Sequence, residues 1–299
     1  MAIHQNHPAE NIRRVVHPAG ALHVVDRAGS NPPVVLMHGF PDDHHVYDRL
    51  TPLLRRRTVA FDFRGYGRSD RPARRRFARA DRQRDLSAAV EQLGPGQVVL
   101  AGHDASGPEA IRWALEHPGR VARLVLLNTY YGHHASLRLP EMIRLLADPA
   151  LRPLADAMLD DPQQRLWLLG HTARQFGMDA GNTDGVGARS IAAQFFGSPA
   201  GPDALTEIRA WTNDLFAALH EHDQRVQAGE LATLAVPVSL VFGADDAYLN
   251  PGLARHLASL FPQAELHLIE NAGHWPQWDQ PEAVAAAIEP TLAAGPADG

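Results

Sequence analysis

The residues able to do chemistry gather at three points of the chain. Asp104 and Ser106 stand in VVLAGHDASGPEA (Val98 to Ala110), Asp245 and Asp246 end VSLVFGADD, and His274 stands in NAGHWPQWDQP. A carboxylate or hydroxyl, an acid and an imidazole are the groups that nucleophilic catalysis with a relayed proton requires. The first stretch runs from apolar residues into Gly102, His103, Asp104, Ala105, Ser106 and Gly107. That is the context of a strand turning sharply into a helix with a nucleophile pushed out at the turn, whose pattern is G-x-Nuc-x-G. Small residues are needed there because neighbouring backbone approaches closely and bulky Cβ groups would obstruct it. With Asp104 as nucleophile, the position two before is Gly102 and the position two after is the small Ser106. With Ser106 as nucleophile, the position two before would be Asp104, where the turn wants glycine. The spacing favours Asp104. The competing readings are Asp104 as a cap of the following helix, and an esterase working through Ser106.

The elements that must position these groups alternate. Leu22 to Asp26, Val34 to Met37, Thr58 to Asp62, Val98 to Ala101, Leu124 to Leu127, Val238 to Phe242 and Leu266 to Ile269 read as strands, several apolar at successive positions as in strands covered on both faces. Helical patterns fit Arg82 to Leu93, Gly107 to His117, Gly252 to Leu260 and Pro281 to Ala293. The expected class is α/β, a mostly parallel central sheet flanked by helices. Between about Tyr130 and Glu230 the alternation stops. Helical patterns such as Glu141 to Leu146 and Ala204 to His220 take over, divided by the Gly-rich stretch Gly177 to Gly187. The expected organisation is a core of residues 1–131 and 231–299, with residues 132–230 inserted as a helical cap.

Composition narrows the partners. A net charge of -6 with a pI near 6.3 argues against a polyanion-binding surface, so nucleic acid is not expected. The arginine clusters Arg55 to Arg57 and Arg74 to Arg76 have acidic neighbours and read as solvated faces. No cysteine is present, and no apolar run approaches the roughly 18 residues of a membrane span. The expectation is a cytoplasmic protein with a small-molecule substrate and no membrane; oligomeric state is not legible. Seventeen histidines include His44-His45, His133-His134 and His220-Glu221-His222. None of these groups has the spacing of a recognised zinc motif, so neither metal nor cofactor is expected.

HGFPDDHHVYDRL, FDFRGYGRSDRP, AGHDASG, VFGADD and AGHWPQWDQPE, in this order, resemble the α/β-hydrolase superfamily. Within it they resemble the branch of haloalkane dehalogenases and epoxide hydrolases, in which aspartate is the nucleophile. The resemblance implies an α/β-hydrolase fold with Asp104 as nucleophile and His274 as general base. Its G-x-x-D pattern places the orienting acid at Asp246, with Asp245 a bystander. Some dehalogenases take that acid from the end of the previous strand, where this chain has Asn128. HGFP implies an oxyanion hole from the backbone N–H groups of Phe40 and Ala105. His103 reads as a buried neighbour of the turn rather than a base.

An aspartate nucleophile moves the expected chemistry from acyl to alkyl carbon. Attack on an ester would form a mixed anhydride, whereas attack on an epoxide or a carbon–halogen bond leaves an alkyl ester that His274 and water can clear. The leaving group divides the branch. Haloalkane dehalogenases carry a tryptophan directly after the nucleophile, where this chain has Ala105, and epoxide hydrolases use lid tyrosines, of which residues 132–230 have none. Tyr130, Tyr131 or Tyr248 would have to donate the proton. Fluoroacetate dehalogenases share HGFP and GHD, but their carboxylate-clamping arginines are absent from DASGPEA. Trp167, Phe176, Phe195, Phe196 and Trp211 are candidates to line an apolar pocket. The reading is a cofactor-independent hydrolase, epoxide opening ahead of dehalogenation, with a non-catalytic ligand-binding protein and the Ser106 esterase as alternatives.

Overall fold

The computed structural model describes residues 10–18, 20–71, 79–176 and 203–293. Gly177 to Gly187, Phe195, Phe196 and Arg74 to Arg76 lie outside them. Among the described residues eight strands form one sheet: β1 (Glu10–His17), β2 (Gly20–Arg27), β3 (Ser30–Met37), β4 (Arg56–Phe61), β5 (Val98–Asp104), β6 (Val121–Thr129), β7 (Val238–Gly243) and β8 (Ala264–Ile269). Their spatial order is β1-β2-β4-β3-β5-β6-β7-β8, with β1–β2 and β2–β4 antiparallel and every other pair parallel. The sequence reading missed β1, whose ENIRRVVH carries three charged residues on a sheet edge that leaves Val16 79% exposed.

The central strands are apolar at successive positions because both of their faces are covered. Val98 and Leu100 point into one core with Val35 and Met37, while Val99 and Ala101 point into the other with Val34 and Leu36. The first core is closed by helices α1 (Arg79–Glu91) and α2 (Gly107–Glu116), through Leu86, Val90, Ile111 and Trp113. The second is closed from the far side by Val46, Tyr47 and Leu50 and by Val284 and Ile288.

Among the described residues four helices lie between β6 and β7: α3 (Glu141–Ala147), α4 (Arg152–Asp160), α5 (Pro162–Gln175) and α6 (Asp203–Gln227). The sequence pattern showed α3 and α6 and missed α4 and α5. The fold closes with α7 (Pro251–Ser259), the single turn α8 (Pro276–Asp279) and α9 (Pro281–Ala293). α7 starts as its sequence dictates, with Asn250 accepting from the N–H groups of Gly252 and Leu253 ahead of Pro251 in the first turn. No described helix is long and apolar enough to cross a membrane.

Candidate active site

Asp104 ends β5 with φ at +49°, a left-handed conformation unusual for a non-glycine residue. The surrounding glycines make room for that turn. A Cβ at Gly102 would come within 2.9 Å of the Ser106 carbonyl oxygen, and one at Gly39 would stand 2.6 Å from the Cβ of Asp104. The turn aims the carboxylate at two backbone donors. The Phe40 N–H donates to its Oδ2 at 3.0 Å, and the Ala105 N–H bonds to the same side chain. Burial pushes the Asp104 carboxyl above its ordinary range, while His274, His103 and these two N–H groups pull the other way.

Ser106 points elsewhere. Its Oγ accepts the His103 N–H at 2.9 Å and lies 2.8 Å from the carbonyls of Met37 and His103, and the residue is 1% exposed. A hydroxyl bonded into the backbone beneath the turn is a structural tie.

Asp246 follows β7, and His274 comes from the loop after β8. His274 Nδ1 donates to Asp246 Oδ2 at 2.9 Å. The same oxygen accepts the side-chain N–H of Asn128 at 2.7 Å, and Oδ1 accepts the N–H groups of Tyr248 and Leu249. Burial works against the charge of Asp246, yet His274 and these donors hold its carboxyl below the ordinary range. Burial likewise opposes a charged His274, but Asp246, Asp104 and Asp42 outweigh it and raise the imidazole to about 9. Asp245 is exposed.

Asn128 is the residue that sequence reasoning undervalued. In the sequence it stands out only for not being an acid, but its Oδ1 accepts the Gly243 N–H at 2.8 Å while its amide donates to Asp246. Its φ of +29° at the end of β6 is the local oddity that marks it, and no linear motif shows that. His103 is fully buried, its Nε2 donating to the His274 carbonyl at 2.8 Å and its Nδ1 3.5 Å from Asp42, which in turn accepts the Trp275 indole N–H.

Asp104 and His274 share a cavity with Phe40, Tyr130, Phe176 and Tyr248. Leu139, Met142, Ile143 and Leu215, from the segment between β6 and β7, make the rest of its wall largely apolar. Phe176 packs on His274 with ring centroids 5.0 Å apart. Tyr248 donates its hydroxyl to Glu141 Oε2 at 3.0 Å. Burial and the Asp104 charge raise the Tyr130 phenol well above its ordinary value.

Three pocket candidates fare differently. Trp167 does not line the cavity and is 58% exposed. On α5 the inner face belongs to Leu168 and Thr172, so Trp167 and His171, each one residue earlier, stack on each other on the outer side. Tyr131 is buried but also absent from the cavity, stacked at 4.3 Å on His222, since adjacent residues of an extended segment face opposite ways. Trp211 lies on α6, and its side chain falls outside what the structure describes.

The chain is similar to known proteins. Residues 34–287 match the alpha/beta hydrolase family. The chain is 27% identical over 276 residues to haloalkane dehalogenase 2 of Mycobacterium tuberculosis, covering 90% of each protein. It is 27% identical over 278 residues to epoxide hydrolase 3 of Xenopus tropicalis, covering 88% of this chain and 71% of that one. The crystal structure of the haloalkane dehalogenase DatA from Agrobacterium tumefaciens C58 superposes with a TM-score of 0.73 at 19% identity, over 95% of this chain and 96% of that one. The fold, the match across most of the chain and these relatives together make the protein an enzyme of the alpha/beta hydrolase family.

Proposed function

We propose that the protein is a cofactor-independent hydrolase that opens epoxides through an alkyl ester on Asp104, with residues 132–230 acting as the cap over an apolar substrate. The observation that carries this is the pair of N–H groups at the Asp104 carboxylate, set beside the His274–Asp246 pair in one apolar cavity, while Ser106 Oγ is bonded into the backbone.

One Asp104 oxygen attacks an epoxide carbon, the ring C–O bond breaks, and the departing oxygen takes a proton from the Tyr130 phenol. Tyr130 is preferred to Tyr248, whose proton is engaged by Glu141, and to Tyr131, which lies outside the cavity. The ester then carries no charge, which withdraws one of the influences holding His274 protonated; the imidazolium returns a proton to the Tyr130 phenolate across the cavity they share, and the neutral imidazole becomes the base for water. Hydroxide adds to the ester carbonyl, the oxyanion rests on the Phe40 and Ala105 N–H groups, and collapse releases the diol and restores the carboxylate. Each such donor is typically worth about 3–4 kcal/mol.

Halide displacement is the second reading, favoured by the relatives named haloalkane dehalogenases. It uses the same nucleophile, base and hole but needs no proton donor. A panel of terminal epoxides and haloalkanes, assayed for diol and for halide, separates the two. Diol release that disappears in Asp104→Asn supports epoxide opening; halide release without diol from any epoxide reverses the order. Ester hydrolysis retained in Asp104→Ala and lost in Ser106→Ala would overturn the proposal.

A further inference from the structure

The histidines that linear spacing left without a role acquire one when the sheet brings distant residues together. His44 and His45 follow the HGFP loop, His23 lies on β2, and Asp62 follows β4. His23, His44 and Asp62 each place a ligating atom within 4.8 Å of the others, and Asp43, His44 and His45 do the same. Among the described residues these are the two groups of three ligand-bearing side chains that approach so closely, and they share His44.

Their hydrogen bonds fit a ligand set. His44 Nδ1 donates to Asp62 Oδ1 at 2.8 Å and His45 Nδ1 donates to Asp48 Oδ2 at 2.8 Å. A carboxylate on Nδ1 leaves the Nε2 lone pair as the ligating atom and fixes the ring, the arrangement that backs metal-bound histidines. Asp43 uses Oδ1 to accept the His45 N–H. His23 is 5% exposed, and its Nε2 has no hydrogen-bond partner among the described residues. A buried polar atom left unpaired is costly, so a ligand there has something to satisfy. The rings of His23 and His44 lie 5.0 Å apart, and those of His44 and His45 4.0 Å apart. His45 is exposed, which gives an ion a route from solvent.

We propose that His23, Asp43, His44 and His45 bind a divalent transition-metal ion, zinc before others, with Asp62 and Asp48 orienting two of the imidazoles. Three imidazoles and one carboxylate suit zinc in a tetrahedral site. Bonds of about 2.0–2.1 Å would put the ligating atoms about 3.4 Å apart, so those of Asp43, His44 and His45, already within 4.8 Å of one another, close by about 1.4 Å at most, and His23 closes on them from its place beside His44. None of these residues lines the cavity at Asp104. The ion would fasten β2 to the segment that follows Phe40, a structural role outside the reaction.

The test is titration of the metal-stripped full-length protein with zinc against a chromophoric chelator, with cobalt as a spectroscopic substitute. One equivalent should bind, and cobalt should give the intense visible bands of tetrahedral coordination. His23→Gln and His44→Gln should each weaken zinc at least about 100-fold, and Asp48→Asn, acting through His45, about tenfold. His45→Gln removes an exposed ligand without disturbing the core, so it tests the site even where the buried variants fail to fold, and it should abolish the cobalt bands. His133→Gln should change nothing. Binding of less than one equivalent, a weak octahedral cobalt spectrum, or wild-type zinc affinity in folded His45→Gln would overturn the proposal.

Discussion

The two sides of the cavity are built by different means. On the nucleophile side every group stands at or just after a strand end and is fixed by hydrogen bonds: Asp104 by the Phe40 and Ala105 N–H groups, Asp246 by the Tyr248 and Leu249 N–H groups and the Asn128 amide, His274 by the Asp246 carboxylate. The opposite side is a set of apolar side chains from the segment between β6 and β7, with Tyr130 and Tyr248 as its hydroxyl-bearing tyrosines. A frame set by the sheet can keep its chemistry while the wall changes, so the frame reports the reaction type and the wall reports the substrate.

The sharpest break in the frame is Asp246→Asn. It should lower kcat by about 10³–10⁴-fold, because the amide no longer fixes the tautomer and charge of His274, and it is read by steady-state turnover. Tyr130→Phe tests the wall and should cost about 100-fold on epoxides while leaving haloalkane turnover unchanged. Equal losses on both substrates would place Tyr130 in packing rather than proton transfer. Tyr248→Phe should instead cost about 1–2 kcal/mol of stability by releasing Glu141, with kcat retained.

The frame should also be visible in stability against pH. His274 is raised from 6.5 to about 9 in the folded protein, so the stabilisation from its charged form is complete below about pH 6.5. It should be lost as pH rises through about 9, and Asp246→Asn should flatten that slope in urea unfolding. Ser106→Ala should match Tyr248→Phe, costing about 1–2 kcal/mol of stability through its backbone bonds with turnover preserved.

The frame was also the more legible side. The alternating strands, the glycine before Asp104 and the order of the motifs identified the α/β-hydrolase fold and drew attention to Asp104, Asp246 and His274, because strand ends impose local sequence demands. Asn128 escaped because its role depends on Asp246 and Gly243, more than a hundred residues away in the chain. The wall was misread where helix rotation decides the outcome. Trp167 and Thr172 lie on one helix, and only contact with the core shows that Thr172 faces the cavity. β1 was missed because an edge strand with one open face carries charges that a buried strand would not. α4 and α5 run between two stretches the pattern did mark, and α4 buries only Ala155 and Leu159.

The central claim is that Asp104 carries the substrate. Mass spectrometry of His274→Gln incubated with epoxides and haloalkanes measures this directly, since loss of the base should stall the ester before water clears it. The account predicts a stable adduct on the peptide containing Asp104, its mass equal to that of the opened epoxide or the transferred alkyl group. An adduct on Ser106, or turnover without any adduct, would contradict it.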